Sequence, residues 1–503
     1  MIDTKALKDK ILDLAMRGKL TPQDPNDEPA SELLKRIKAE KEKLINQKKI
    51  KREKNGSEIF QGDDGLHYEK FADGTIKEIE VPYELPEGWA WANLNQVTNI
   101  VMGSSPSGNN IYNKPILNCV EFHQGKSHFS EVYVNESKKW TTEITQLIET
   151  DAVLMSVRAP VGDVNIINRP IVIGRGIAGL IPQINIKYLF YYLSLEKEGL
   201  EQNASGSTFK SITVKGIKKH LIAVPPLNEQ TRIIKQINKS LVLVCAIKQN
   251  QNELNLISTN LKQKILDISM QGKLIPQNIN DEPASILLDK IRAEKQKLFK
   301  EGKIKKKDLE EIQPTLDEDN AYYQNIPKSW SLVCLKTIVY ILNGDRGKNY
   351  PSKEKLSFSG NIPFISAINL KNGLVSKESL KYLNDEQYNL LRSGKIKKDD
   401  ILFCIRGSLA KNGISKFTKG AIASSLVILR SYNKRLISPL FLLAYCNSTQ
   451  ISSELNKYNN GTAQPNLAAS DLSKFVIALP PKMQQHKILR AIYRVNNIVD
   501  FIK

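Results

Sequence analysis

The chain has 503 residues, 41% of them hydrophobic, and its 73 Lys and Arg against 53 Asp and Glu leave a net charge of +20. That length accommodates two to four domains, and a charge of this size points to a polyanionic partner, most often nucleic acid. Five cysteines (Cys119, Cys245, Cys334, Cys404, Cys446) lie far apart with no CxxC pair, which excludes a disulfide framework or a zinc set of the usual spacing. The opening Met1-Ile2-Asp3-Thr4-Lys5 is no apolar signal region and no run approaches ~18 apolar residues, so the expectation is a cytoplasmic protein without a membrane partner.

In chain order, residues 1–54 read as an N-terminal helical repeat. Leu7, Ile11 and Leu14 form one face of a first helix over 5–17, Gly18 breaks it, and a second helix covers 33–41. Residues 55–81, with Asp63-Asp64-Gly65 and Asp73-Gly74, read as an exposed connector. Residues 82–226 mix short apolar strands with Gly, Asn, Ser and Pro turns and end in an amphipathic helix over 187–200, which describes an α+β globule. Residues 227–307 are a central helical repeat. In it Ile234, Ile237, Leu241, Leu254, Ile257, Leu261, Ile265 and Ile268 recur at steps of three and four, the seam of a long helix packed on another helix. Pro225, Pro226 and Asn228 mark its start, with Asn228 as N-cap, and Gly272 marks its stop. Residues 322–481 form a second α+β globule with a late helix over 439–455. Residues 482–503 restart the seam with Ile488 and Ile492.

The chain is a duplication. Lys10 to Leu44 and Lys264 to Leu298 align without gaps and are identical at 24 of 35 positions. Asp151-Ala152-Val153-Leu154 pairs with Asp399-Asp400-Ile401-Leu402, and Ile222-Ala223-Val224-Pro225-Pro226 with Ile477-Ala478-Leu479-Pro480-Pro481. The last residues align with 228–248 and the first with those from Asn255 onward. The two chain ends, with Leu7 and Ile11 on one and Ile488 and Ile492 on the other, therefore rebuild a second rod. The expected fold is a cyclic two-fold repeat with two antiparallel rods.

The motifs of catalysis are missing from the pattern. Gly174-Arg175-Gly176-Ile177-Ala178-Gly179 satisfies GxGxxG, but Pro182 stops the helix a dinucleotide site needs. Gly125-Lys126-Ser127 lacks the first glycine of a phosphate loop. Glu136-Ser137-Lys138 lacks the Pro-Asp partner of a nuclease, and no Asn-Pro-Pro-aromatic methyltransferase motif occurs. His123 and His128 lack zinc spacing, so no metal is expected. Binding remains. The loop over 102–112 offers Ser104, Ser105, Ser107 and Asn109, and the matching loop over 343–351 offers Arg346, Lys348 and Tyr350. Small polar side chains and exposed backbone N–H suit phosphate, and arginine suits base edges. Arg158 and Arg406, read as lying in buried strands, are matched in both copies. A core salt bridge accounts for them as well as DNA contact does. Lys126, Arg175 and Lys411 complete the DNA-binding candidates.

The layout resembles the specificity subunit of type I restriction-modification systems. The residues that carry the resemblance are Gly206-Ser207-Thr208, then Pro225-Pro226-Leu227-Asn228-Glu229-Gln230 and Ile233. The second copy has Gly461-Thr462, Pro480-Pro481, Gln484-Gln485 and Ile488, and departs from the first with Gln484 in place of Glu229. The resemblance implies two α/β target-recognition globules separated by two long antiparallel, coiled-coil-like helices. It implies a chain that catalyses nothing by itself and binds double-stranded DNA at an asymmetric bipartite target. It further implies a scaffold for two modification (methyltransferase) subunits and for restriction (motor-nuclease) subunits. S-adenosylmethionine, ATP and Mg would sit on those partners, with no cofactor bound directly here. Two readings of other classes stand beside it: a single-chain enzyme fusing recognition to methylation or cleavage, and a coiled-coil scaffold without catalysis.

Overall fold

The computed structural model describes residues 1–48, 56–202, 211–315, 323, 325–458 and 465–502. Internal contacts divide the chain into Met1–Gln251 and Asn252–Lys503. Residues 206–208 and 461–463, two of the matched repeat motifs, lie outside the described residues.

The first unit opens with α1 (Thr4–Met16), where the Asp3 carboxylate accepts the Lys5 and Ala6 N–H groups at 3.0 and 3.1 Å and caps the helix. Helix α2 (Ala30–Asn46) follows. The stretch expected to be a connector is instead a three-stranded antiparallel meander, β1 (Ser57–Gln61), β2 (His67–Phe71) and β3 (Ile76–Glu78). Its two Asp-Gly turns, with Gly65 and Gly74 at φ +82° and +87°, are hairpin signals. Then come β4 (Ala90–Asn93), β5 (Thr98–Met102), β6 (Ile111–Tyr112), β7 (Val120–His123), β8 (Trp140–Thr141), β9 (Leu147–Ile148), β10 (Ala152–Ser156), β11 (Val164–Ile167), β12 (Ile171–Ile173) and β13 (Ile177–Pro182). All of these but β4 build two facing sheets, β11-β10-β13-β5 and β6-β8-β7-β12-β9. Strand β10 shows why they stack. Ala152 and Leu154 join the core between the sheets, while Val153 and Met155 point to the other face, toward α3 (Ile186–Leu195). Strand β14 (Leu221–Val224) pairs with β4 and leads into α4 (Leu227–Met270), 44 residues or ~66 Å of helix.

Asn228 does not cap α4. It lies inside the first turn and its side chain hydrogen-bonds to Asp27, while the Pro226 carbonyl accepts the Gln230 N–H at 2.9 Å. Helix α1 runs antiparallel to the part of α4 in this unit: Gln251 donates to the Ile2 carbonyl at one end, and Arg232 pairs with Asp27 at the other. Ile233, Ile234 and Ile237 are buried there with Leu12, Ala15 and Met16, while Leu7, Ile11 and Leu241 are half-buried.

The second unit repeats the plan: α5 (Ala284–Lys300), β15 (Ser331–Cys334), β16 (Val339–Asn343), β17 (Ile362–Ile365), β18 (Leu370–Lys371), β19 (Gly373–Val375), β20 (Lys381–Leu383), β21 (Ile401–Cys404), β22 (Asn412–Ile414), β23 (Ala421–Ile422), β24 (Leu426–Ser431), α6 (Pro439–Cys446), β25 (Val476–Leu479) and α7 (Lys482–Ile502). Its larger sheet, β16-β24-β21-β22-β19-β18, contains the same four-strand order as the first unit and adds a hairpin. Helix α7 runs antiparallel to the part of α4 in this unit, with Lys262 on Asp500 and Lys487 on Asp281. Ile488 is buried and Leu254, Ile265, Ile268 and Ile492 are half-buried. The expected seam fails at Ile257 and Leu261, which are 61% and 44% exposed, and Ser258 turns inward instead. A straight helix drifts ~20° per heptad against a 3.5-residue repeat, so over the roughly three heptads from Ile234 to Ile257 the inward face turns by ~60°, more than half the ~100° between successive residues.

Both units lock the start of the second helix of the pair through a tryptophan. Trp89 Nε1 donates to Glu229 Oε2 at 3.0 Å, and Trp330 Nε1 to Gln484 Oε1 at 2.8 Å. Burial pushes the Glu229 carboxyl up from its ordinary value, although Trp89 and Gln23 donate to it. A raised folded value means a penalty that is absent below about pH 4.5 and fully present once the pH passes the folded value. Gln484 shows that an amide fills the role, since its Nε2 donates to Gln277 Oε1 at 2.8 Å. Glu229→Gln is therefore expected to be neutral or stabilising by up to about 1 kcal/mol at pH 7, the gain vanishing toward pH 4. Urea unfolding at the two pH values checks this, and a loss above about 1.5 kcal/mol at pH 7 contradicts it.

Candidate nucleic-acid interface

In the first unit five chain segments converge at one end of the sheets. The loop after β5 lies against the β12–β13 turn: Gly103 N donates to the Ile177 carbonyl at 3.0 Å and Ser104 N to the Ile173 carbonyl at 2.9 Å. Ser105 Oγ accepts the Arg175 N–H at 3.3 Å and donates to Gln124 Oε1 at 2.9 Å, tying in the end of β7. The segment before β9 joins through Thr145 Oγ1, which donates to the Ser104 carbonyl, and through Ile173 N to the Gln146 carbonyl at 3.0 Å. The end of β10 joins through Val157 N, bonded to the Gly176 carbonyl at 3.0 Å. The result is a mouth of backbone-fixed loops carrying exposed side chains.

Arg158 and Arg175 stand exposed at this mouth, with no ion pair among the described residues. Arg158 is therefore not a buried-strand residue. Strand β10 ends at Ser156, Val157 is the last buried position, and Arg158 meets Ser211 in an isolated bridge. Ser104, Ser107 and Asn109 are exposed, although the Ser107 N–H is already spent on Glu143 Oε2 at 2.9 Å. Lys126 is held elsewhere. It pairs with Asp163, which also holds Lys197 at 2.6 Å. Burial acts to raise the Asp163 carboxyl, but the two lysines outweigh it and keep it below its ordinary value. His123, singled out with His128, is a core residue whose Nε2 lies 2.7 Å from Glu121 Oε1, and Glu121 also accepts from Arg169. Among the described residues no cluster of His, Cys, Asp and Glu is fit to hold a metal ion.

The second unit builds the same mouth with other side chains. Asp345, buried, accepts the Gly347 N–H at 2.9 Å and the Arg392 N–H at 2.8 Å, so it stitches the loop after β16 to the segment before β21. Burial acts to raise its carboxyl, but these N–H groups, that of Arg346 and the Arg392 charge keep it below the ordinary value. Arg346 Nη2 reaches the Ser424 carbonyl at 3.5 Å. Burial and then the neighbouring charge of Arg406 push the Arg346 guanidinium down from its ordinary value. Arg346, Lys348, Arg392 and Arg406 are all exposed and form no ion pair among the described residues. Arg406, like Arg158, has left the buried strand: β21 ends at Cys404. Tyr350 is a strut, its ring edge-on to Phe364 at 5.8 Å and its hydroxyl accepting from Ser424 N at 3.5 Å. Lys411 lines a shallow depression with Leu370, Asn372 and Asn447, none of which belongs to the mouth.

Three mouth residues escaped the sequence reading: Ile144, which is 48% exposed and precedes Thr145 in the segment tied to Ser104, Arg392 and Ser424. For Arg392 the signal was Ser393-Gly394. Gly394 has φ +75°, and a Cβ there would lie 2.9 Å from the Gly344 Cα, marking a place where two backbones touch. The Arg346 and Arg406 guanidinium groups, neither of them in an ion pair among the described residues, repel one another, and a polyanion relieves that repulsion.

Residues 86–257 and 327–503 each match the family model of the type I restriction modification DNA specificity domain. The chain is 27% identical to the type I restriction enzyme EcoAI specificity subunit of Escherichia coli, across 96% of this chain and 87% of that one. It is 28% identical to the EcoEI specificity subunit of Escherichia coli, across 99% and 90%. A solved structure concerned with complex assembly and conformational transition of the type I R-M system shares the fold, with a TM-score of 0.53 and 17% identity over 84% of this chain and 93% of that one. Two copies of the domain span over two thirds of the sequence, and the chain belongs to the type I restriction-modification DNA specificity family.

Proposed function

We propose that each mouth reads one half of an asymmetric bipartite target in double-stranded DNA, and that α4 sets the unread spacer between the halves. The observation that carries this is the pairing of one loop framework with two different sets of exposed side chains. A shared framework suits a shared ligand, and different side chains suit different base sequences. In this family the chemistry resides on partner subunits. The chain accordingly scaffolds two methyltransferase subunits, which bring S-adenosylmethionine, and restriction subunits, which bring ATP and Mg. The exposed apolar residues of α4, Val242 and Leu243 in one unit and Leu256, Ile257 and Leu261 in the other, are docking positions for those subunits.

Selection from a random bipartite DNA library, with the full chain alone and with a type I methyltransferase subunit added, tests the reading. The expected result is two different half-sites at a fixed spacing. Binding without sequence preference in both settings contradicts it, and methylation by the chain alone contradicts its non-catalytic part. Arg346→Ala with Lys348→Ala is expected to alter one half-site only, by about 1–3 kcal/mol of discrimination at the contacted base.

A further inference from the structure

Four backbone hydrogen bonds recur in the two mouths and put their residues in register. Gly103 N to the Ile177 carbonyl matches Gly344 N to Leu426, and Ile173 N to Gln146 matches Ile422 N to Gly394. Val157 N to Gly176 matches Ile405 N to Ser425, and Ile212 N to Val157 matches Leu467 N to Ile405. In that register Ser105 stands where Arg346 does, Ile144 where Arg392 does, Arg175 where Ser424 does, and Arg158 where Arg406 does. Three positions are exchanged between the mouths. One is constant.

The constant arginine is also the one held most alike. In each unit the residue before it is hydrogen-bonded through both its N–H and its carbonyl, and the arginine itself makes an isolated bridge, to Ser211 or to Asn466. Its guanidinium is exposed and without an ion pair among the described residues. Two different half-sites share their phosphates and differ in their bases, so a side chain that does not change suits the part of the ligand that does not change. The exchanged positions carry base-reading chemistry: arginine for guanine O6 and N7, isoleucine for the thymine methyl, and serine for a single hydrogen bond, which Ser105 can only accept because its proton goes to Gln124.

We propose that Arg158 and Arg406 are phosphate anchors, and that Ser105, Ile144 and Arg175 in one mouth and Arg346, Arg392 and Ser424 in the other choose the bases. This rests on the DNA-reading function proposed above and assigns its specificity to single positions. It also gives the second mouth the guanine-richer half-site, because two of its three choosing residues are arginine.

The test uses the full chain with its methyltransferase, random bipartite DNA and a salt titration. Arg158→Ala and Arg406→Ala are each expected to weaken binding about three- to tenfold on every sequence and to shrink the log–log salt slope by about 0.9, with the selected bases unchanged. Arg158→Lys is expected to keep the slope, which separates a lost charge from a damaged fold. The triple exchange Ser105→Arg, Ile144→Arg and Arg175→Ser is expected to change the selected bases of one half-site and leave the other alone. The assignment is overturned if Arg158→Ala changes the bases chosen, or if the triple variant binds with the wild-type preference. A wild-type chain that selects no sequence overturns the DNA-reading function itself, an outcome distinct from either.

Discussion

Replacing Asp400 by alanine is expected to destabilise the second unit by about 3–5 kcal/mol, and replacing Arg430 by isoleucine as well is expected to restore most of that loss. Asp400 is fully buried and Arg430 is 18% exposed. Arg430 Nε donates to Asp400 Oδ1 at 2.8 Å and Nη2 to Oδ2 at 2.6 Å, while Lys397 N also donates to Oδ2 at 2.6 Å. Removing the carboxylate strands a guanidinium that has little water to turn to, with one remaining bond to the Lys395 carbonyl at 2.9 Å. The protein already contains the apolar version. Strand β10 pairs with β13 as β21 pairs with β24, Val153 opposite Leu180 and Ile401 opposite Leu429. One step along, Asp400 and Arg430 stand where the first unit has Ala152 and Ile181, both packed in the core between its sheets. Breaking a buried pair costs several kcal/mol, whereas replacing it with packed apolar groups is often neutral. Urea unfolding of the single and double variants measures both. A single variant within about 1 kcal/mol of wild type sinks the argument, and so does a double variant no better than the single.

That pair also shows where sequence reading stops. Ala152 aligns with Asp400 in plain view, but the partner lies 30 residues away on another strand, and a lone aspartate beside an apolar run looks like a turn residue. The long helix was legible because its apolar spacing, its prolines and Gly272 each act locally. The face of that helix was less so, since a seam drawn at steps of three and four accumulates a phase error that only the packing partner reveals. Gly-Asp-rich 55–81 was taken for a connector because its polar strands bury little beyond Ile59, yet the two Asp-Gly turns were in the sequence to be seen. In the interface, the loops after β5 and β16 could be found by composition. Ile144 and Arg392 could not be matched, because 124–146 and 366–394 differ in length and only backbone hydrogen bonds bring them into register.

Gly103→Ala is expected to abolish recognition of one half-site while the other half-site is still selected. A Cβ built on Gly103 lies 2.2 Å from the Gly174 carbonyl oxygen and 2.8 Å from the Gly174 carbonyl carbon and the Ile173 carbonyl oxygen. All three are backbone atoms, so no side chain can step aside, and relief requires parting the loop from the β12–β13 turn by about 1 Å. That displacement breaks the Gly103 and Ser104 hydrogen bonds and carries Ser105 away from Arg175. Base readout depends on hydrogen-bond geometry held to within ~0.5 Å, so the expected loss at that half-site is on the order of 100-fold. Overpacking also lowers the stability of the first unit by about 1–3 kcal/mol. Gly108→Ala is the control in the same loop: nothing lies within 4 Å of a Cβ there, and both readouts are expected to stay at wild-type values. Gly344→Ala is expected to act on the opposite half-site and less severely, since its nearest backbone contact, the Ala423 oxygen, is at 2.6 Å. Selection experiments with the three variants read the half-sites separately. If Gly103→Ala selects both half-sites with affinity within about twofold of wild type, the loop after β5 is not part of the reader, and the mouth it helps to build is an ordinary edge of the sheet.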